Sequence, residues 1–512
     1  MRPIFPKLLV ATLGLLLVAC AATVAPPGPP HREAAHAIAD PQTTALGRLF
    51  EPLAERHPGL SGFDLINSGR TAFDARFALA GMARRTIDAQ YFIWAPDAVG
   101  RNMMGAMIAA ADRGVRVRLL LDDLDILGRD DGFATLAAHP SIEVRLFNPF
   151  VDRSFGLGDY LFDFDRVNHR MHNKAFVVDN TVAIVGGRNI ANPYFSADEE
   201  ANFRDLDLIA AGQIVRDVSD NFDAFWNSAW AVPIGRLTQK PKQPEALKAL
   251  EERLQQKIQS EPFAFRDDLQ EPLLEKLVRG FPPRLVWAKA TLFADRPDKP
   301  ETNAPGIVND LRAVVGGGKI KTELLIESAY FVPLPQAVPR YCALVQRGVR
   351  VRVLTNSLAS TDEVSVYGGY MRHRDDLLAC GVELHELRPD AAYMRRQSHN
   401  RSEAELHTKA AVFDREQVMI GSFNLDPRSR FLNTEMAIFV ESPDLAGKVA
   451  HFIDNGMSLA NSFRLERDKD DDTVWVAEDN GQEVRFCRPP ASSAWRRLKA
   501  DMLGVLPIES LL

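Results

Sequence analysis

The chain has 512 residues, 46% of them hydrophobic and 25% charged, with a formal net charge of −7. That length exceeds what one hydrophobic core usually organises, so two domains are expected, and the apolar-to-charged balance excludes both a disordered chain and a multi-span membrane protein. The negative charge argues against a protein that coats nucleic acid, because phosphate binding wants a basic face, although it leaves room for a local basic cleft.

The N-terminus reads as an export signal. Arg2 and Lys7 precede an apolar run over residues 8–19 that is too short to span a bilayer comfortably. The run ends in Leu17-Val18-Ala19-Cys20, which resembles the bacterial lipobox. That resemblance implies a signal peptide over 1–19, lipid attachment at Cys20 and a Pro-rich tether over 20–45. The expected location is exported and membrane-anchored on the periplasmic side. Ala21 after the Cys goes, by the same resemblance, with the outer membrane. Cys342, Cys380 and Cys487 remain, an odd number without ligand-like spacing, so neither a disulfide framework nor a Cys-based zinc site is expected.

Beyond the tether the elements alternate. Residues 73–82 carry apolar side chains at helical spacing, 87–94 are strand-like, 103–111 are helical, and 115–121 form a nearly all-apolar strand. Such alternation favours an α/β fold, a sheet covered by helices. Residues 175–178 and 181–185 are β-branched runs separated by Asp179-Asn180, a hairpin signal. Residues 236–284 read as a linker containing a charged helical run over 245–259, and Gly316-Gly317-Gly318 reads as a turn rather than a phosphate loop, since Lys-Ser/Thr does not follow. A second turn signal, Asn480-Gly481, follows the charged loop 466–472.

The second half repeats the first. Arg113-Gly114-Val115-Arg116-Val117-Arg118 recurs at Arg347 with an offset of 234, and Tyr91-Phe92 aligns with Tyr330-Phe331 at 239. Ile142-Glu143-Val144 recurs as Val382-Glu383-Leu384, near 240. A duplicated domain follows, with copies over 46–235 and 285–512. Each copy holds one His-x-Lys-x4-Asp motif: His172, Lys174 and Asp179, then His407, Lys409 and Asp414, offset by 235. A Gly-rich turn and an Asn follow each, ending at Asn189 and Asn424. In a strand, residues two apart project to one face, so each His and Lys lie side by side. Phosphodiester transfer needs a nucleophile, an acid for the leaving alkoxide and positive charge on the non-bridging oxygens. Two His, two Lys and two Asn meeting across a pseudo-twofold interface supply all three, and each half alone lacks one.

These motifs resemble the two-motif phospholipase D superfamily over nearly the whole chain. The similarity is greatest to the bacterial C-type cardiolipin synthases, through Met171-His172-Asn173-Lys174, Gly186-Gly187-Arg188-Asn189-Ile190, Arg204-Asp205-Leu206-Asp207 and Leu506-Pro507-Ile508-Glu509. The resemblance implies two phospholipase D-like domains, each a mixed sheet covered by helices, with a single active site at their interface. It implies a two-step transfer through a phosphohistidine without metal or cofactor. His172 is then the nucleophile and His407 the acid, an order that two intact motifs leave reversible. Lys174, Lys409, Asn189 and Asn424 would hold the phosphate, and Asp207 and Glu435 would each orient an imidazole. Asp179 and Asp414, although part of the motifs, are expected to support the hairpins. Gly187 stands where the second motif has Ser422, removing a possible hydroxyl contact. His169, three residues before His172, lacks a third ligand at suitable spacing and is read as a rim or packing residue.

Phe150, Phe155, Tyr160, Phe162 and Phe164 either cover a core or form a lipid-facing lip, and Arg395 and Arg396 sit in the corresponding place to meet anionic headgroups. The expected partners are phospholipids, with phosphatidylglycerol and phosphatidylethanolamine as plausible substrates, and a membrane surface; no nucleic acid is expected. A hydrolase using water as acceptor, on phospholipid or nucleic acid, is the alternative. A purely membrane-binding module would have lost a motif residue, and none is missing.

Overall fold

A computed structural model describes residues 34–153, 156–238, 244–263, 265, 284–302, 304, 306–316, 318–393 and 402–506. The signal peptide, Cys20, Phe155, Arg395, Arg396 and residues 507–509 lie outside them.

The first half contributes β1 (Ser61–Ile66), β2 (Thr86–Tyr91), β3 (Arg116–Asp122), β4 (Ile142–Phe147), β5 (Ala175–Val178), β6 (Val182–Gly186), β7 (Ala201–Arg204), β8 (Asp207–Gly212) and β9 (Ala231–Pro233). The second contributes β10 (Val286–Ala294), β11 (Glu323–Ser328), β12 (Arg350–Asn356), β13 (Glu383–Leu387), β14 (Glu403–Leu406), β15 (Lys409–Phe413), β16 (Gln417–Gly421), β17 (Met436–Glu441), β18 (Ser462–Arg467), β19 (Thr473–Asp479) and β20 (Gln482–Phe486). In the first half β4, β3 and β2 run parallel, and β5, β6, β8 and β1 continue the sheet antiparallel. The second half repeats this with β13, β12, β11, β15, β16, β17 and β10. The equivalent strands β1 and β10 pair with each other, so one sheet runs unbroken through both halves.

The sheet is mixed, as the alternating pattern predicts, and its two faces are buried differently. On β5, Phe176 and Val178 point into a core shared with the helices Gly69–Met82 and Ala98–Asp112. Ala175 and Val177 point the other way, into a core built by both halves that includes Leu325, Val412 and Ile438. The helices Gln213–Trp226 and Pro443–Gly456 add Val215, Val218, Leu445 and Val449 to that shared core. Burying both faces is why the strands read as near-continuous apolar runs.

Both predicted hairpins close on two residues in the left-handed region, Asp179 and Asn180 at φ 51° and 47°, Asp414 and Arg415 at 53° and 56°. That is the geometry of a type I′ turn. Asn480-Gly481 closes β19 to β20 in the same way, and Gly316 and Gly318 lie in a turn.

Three expectations need correction. Residues 34–45 are not a free tether: Ala35 N donates to Asn227 Oδ1 at 3.0 Å, Ala37 N to Asp223 Oδ2 at 2.8 Å, and Asn180 Nδ2 to Ile38 O at 2.9 Å. Their backbone groups find partners on the first half, which proline content alone could not reveal. Cys342 and Cys380 form a disulfide, with Cα atoms 5.3 Å apart. The helix Val338–Gln346 and the end of the helix Val364–Ala379 bring together cysteines 38 residues apart, a proximity no spacing rule encodes. Finally, Gln90 pairs with Ala175 and Glu327 with Ala410, so the true offset there is 237. Aligning Tyr91-Phe92 with Tyr330-Phe331 was two residues out of register, and Ile93 is the equivalent of Tyr330.

The helix Pro244–Ser260 lies on the first half, with Leu250 and Leu254 against its core. Among the described residues no helix is long and apolar enough to cross a membrane.

Candidate active site

The backbone crosses between halves before the side chains do. β7 and β14 pair in parallel, one from each half. His172 N donates to Thr434 O and His407 N to Arg204 O, both at 2.9 Å. Each His is thus laid beside the residue that precedes the other half's acid. His172 Nδ1 lies 3.0 Å from Glu435 Oε2, and His407 Nδ1 lies 2.7 Å from Asp205 Oδ2. A carboxylate at Nδ1 fixes the proton there and leaves Nε2 with a lone pair. Among the described residues neither Nε2 has a protein hydrogen-bond partner, and both rings line one cavity of about 400 Å³.

Asp205, not Asp207, orients the second imidazole. Asp207 is buried against Arg76 at 3.0 Å and Arg188 at 3.1 Å. The register explains the slip. Gly186 pairs with Asp207 and Gly421 with Ala437, so the residue equivalent to Glu435 lies two before Asp207. Gly187 belongs to the same arrangement: a Cβ there would sit 2.2 Å from Asp205 Oδ1. In the second half, Ser422 Oγ instead donates to Glu435.

Lys174 and Lys409 are buried and donate back to the carbonyls of His172 and His407 at 2.6 and 2.5 Å. Lys174 also faces the Phe92 ring and Lys409 the Tyr330 ring. Asn189 donates to the Tyr194 hydroxyl at 2.8 Å, while Asn424 Oδ1 is buried without a partner. Asn189, Asn424, Tyr194 and Tyr330 line the cavity with the two histidines. Aromatic rings box the imidazoles, Phe92 against His172 and Tyr194 and Phe203 against His407.

Burial dominates the electrostatics. It pushes His172 down to about 4, against the pull of Glu435 and with repulsion from Lys174. His407 is lowered well below its ordinary value by burial and by Lys409 and Lys174. Lys174 falls to about 7 and Lys409 to about 8, burial again outweighing the nearby carboxylates. The two acids differ. Burial raises Asp205 to about 7 despite Arg188 and Lys409. Burial would also raise Glu435, but His172, Lys174 and the Ser422 hydroxyl hold it below the usual range.

The remaining sequence candidates fall outside the cavity. Asp179 accepts from the backbone N of Arg84, Arg85 and Thr86, and Asp414 from that of Lys321, Thr322 and Glu323. Although grouped with the catalytic residues by motif, they anchor the starts of β2 and β11. His169 Nδ1 meets Asp165 O at 2.7 Å. Phe150 is buried, whereas Tyr160, Phe162 and Phe164 are exposed, Phe162 to 90%, beside exposed Leu157 and Leu161 on the helix Leu157–Phe162. Asp362, Asp426 and Arg428 also line the cavity. They carry no motif, and only the fold brings them there.

Residues 78–226 and 319–456 match the family described as "Cardiolipin synthase, PLD-like domain". Cardiolipin synthase C of Escherichia coli K12 is 41% identical over 489 residues, covering 91% of this chain and 99% of that protein. Cardiolipin synthase A of Cronobacter sakazakii is 22% identical over 466 residues, covering 88% and 79%. Among solved structures, phosphatidylserine synthase of Haemophilus influenzae shares the fold with a TM-score of 0.53 at 12% identity, covering 90% of this chain and 99% of that one. The chain belongs to the phospholipase D superfamily, within its cardiolipin synthase-like family of enzymes.

Proposed function

We propose that the protein transfers a phosphatidyl group from one phospholipid to a hydroxyl of another, making cardiolipin or a closely related product from phosphatidylglycerol and phosphatidylethanolamine. The observation that carries this reading is the pair of cross-held imidazoles opening on one cavity, each with a buried lysine bonded to its own carbonyl behind the cavity wall. His172 Nε2 attacks phosphorus, forming a phosphohistidine, while His407 gives its proton to the departing alkoxide. His407 then takes the proton of the incoming hydroxyl, whose oxygen attacks phosphorus and frees His172. Glu435, held ionised by His172, Lys174 and Ser422, supports His172 as the nucleophile. The phosphodiester anion raises the pKa of both lysines and of His407, so the acid and the positive clamp are charged when substrate arrives. Asn189 and Asn424 complete the contacts to the non-bridging oxygens.

The place of action is read as the periplasmic face of a membrane, with lipid on Cys20. The Cys342–Cys380 disulfide supports an oxidising compartment, and the exposed apolar side chains of Leu157–Phe162 support contact with a bilayer.

The test is turnover of labelled phosphatidylglycerol, with and without phosphatidylethanolamine, followed by lipid mass analysis. Cardiolipin should form, continue to form in EDTA, and drop by several orders of magnitude in His172→Ala and in His407→Ala. Phosphatidic acid as the sole product would replace transfer by hydrolysis. Metabolic labelling with a palmitate analogue should mark the wild type and not Cys20→Ser; an unmarked wild type would remove the lipoprotein reading.

A further inference from the structure

Each half carries an apolar groove at the end of its central strand, and the two are pseudo-equivalent. In the first half Ala95, Pro96 and Met104 line a cavity of about 200 Å³ with Leu250 and Leu254. In the second, Val332 and Pro333 stand in the places of Ala95 and Pro96 in a cavity of about 220 Å³, which Tyr341 and Leu311 of the helix Gly306–Val315 also line. The grooves differ in charge. Arg101 and Arg129 of the first pair with Glu261 and Asp125. The second is edged by Arg312, Arg340 and Arg430, and among the described residues none of these three forms an ion pair. Arg430 Nε is buried without a hydrogen-bond partner. Burial lowers the Arg430 guanidinium from its ordinary value, and repulsion from Arg312 and Arg340 adds to this.

The second groove also leads somewhere. Leu311, Tyr341, Phe423 and Leu425 line it and, equally, a deeper cavity of about 160 Å³ that reaches Lys409 and Ser328. Asp426 lines both the groove and the catalytic cavity, its carboxylate turned onto Ser429 N at 2.6 Å as a helix cap.

From this we infer that the second-half groove is a binding site for an anionic phospholipid, with an acyl chain along Leu311, Tyr341 and Phe423 and the phosphate on Arg312, Arg340 and Arg430. A chain of net charge −7 that leaves three arginines without ion-pair partners around an apolar groove, its one lining carboxylate being turned onto a helix cap, is complementary to an amphiphile with an anionic head. A soluble anion would match the arginines but not the groove, and a zwitterionic lipid would match the groove but not the unbalanced charge. The site rests on the transfer reading for its purpose, and it assigns the anionic member of the substrate pair to the second half.

Binding is measured by calorimetry with short-chain dihexanoyl-phosphatidylglycerol, dihexanoyl-phosphatidylcholine and glycerol phosphate, on full-length His172→Ala protein so that nothing turns over. Dihexanoyl-phosphatidylglycerol should bind tightest. The triple variant Arg312→Gln, Arg340→Gln, Arg430→Gln should weaken it at least ~10-fold, three charge-assisted contacts each contributing a factor of several, and weaken dihexanoyl-phosphatidylcholine, whose choline cation offsets the same phosphate, by clearly less. Leu311→Trp, which fills the groove and keeps the charges, should weaken both lipids. Equal affinity for dihexanoyl-phosphatidylglycerol in wild type and triple variant overturns the site, as does glycerol phosphate binding as tightly as the lipid. In the active protein the triple variant should raise KM for phosphatidylglycerol at constant kcat. An unchanged KM in an enzyme that makes cardiolipin sinks the site and spares the function; arginine-dependent binding in an enzyme that makes none sinks the function and spares the site.

Discussion

Replacing Asp205 by Asn and, separately, Asp207 by Asn divides two carboxylates that the sequence alone cannot tell apart. Asp205 Oδ2 lies 2.7 Å from His407 Nδ1. At an effective dielectric of ~20, a unit charge at that distance is worth about 6 kcal/mol to an imidazolium. Burial of the carboxylate opposes this, and an amide oxygen still accepts the Nδ1 proton, so a net loss of about 2–3 kcal/mol is expected in the state where His407 is protonated. That corresponds to a fall in kcat of roughly 30- to 150-fold. Asp207→Asn acts elsewhere. It strips the counter-ion from Arg76 and Arg188, both buried, and should lower unfolding free energy by about 3–5 kcal/mol while each folded molecule keeps most of its rate. Urea unfolding and single-turnover transfer on the same preparations separate the two. An Asp205→Asn enzyme within threefold of wild type, or an Asp207→Asn enzyme that is inactive yet fully stable, would refute the assignment.

Gly187→Ala puts a Cβ 2.2 Å from Asp205 Oδ1 and should reduce kcat as far as Asp205→Asn does; a fully active variant would show that the carboxylate need not be held there. Binding of glycerophosphocholine, a phosphodiester whose own charge is constant near neutrality, should take up more than one proton at pH 8, shared among Lys174, the half-neutral Lys409 and His407. Lys174 at about 7 is largely neutral there and recharges beside the phosphate. Calorimetry in buffers of different ionisation enthalpy measures this, and zero uptake refutes it. The same depression has a stability consequence with a definite sign. Between about pH 7 and 10.5 the unfolded chain holds a proton that the fold does not, so this lysine makes ligand-free stability rise with pH across that window, while below pH 7 its burial penalty is complete. Cys342→Ser with Cys380→Ser should lower stability by up to about 4 kcal/mol for a 38-residue separation, with activity per folded molecule unchanged. Alkylation of both cysteines in denatured, unreduced protein would show that the bond is absent.

The duplication, the hairpins and the His, Lys and Asn constellation were legible because each is local. Asp179-Asn180 states its own turn, and His172 and Lys174 stand two apart at the entry of β5. What failed to show was whatever depends on the distance between elements. From Gly187 to Asp205 is 18 residues, but from Ser422 to Glu435 only 13, and that unequal spacing conceals the match between the two acids in the sequence and leaves Asp205 and Asp207 indistinguishable there. Which half serves which imidazole is a matter of β7 meeting β14, and no pattern within either half encodes that pairing. Asp362, Asp426 and Arg428 reach the cavity through loops, and the disulfide through helix packing.

The crossed acids also constrain how this gene can have changed since it was doubled. Duplication ordinarily frees one copy to drift while its twin carries on. Here the copies hold each other's histidines, so the loss of Glu435 would leave His172 Nδ1 without its carboxylate and the loss of Asp205 would do the same to His407. Neither repeat has a spare, and damage to one is inherited as damage to both.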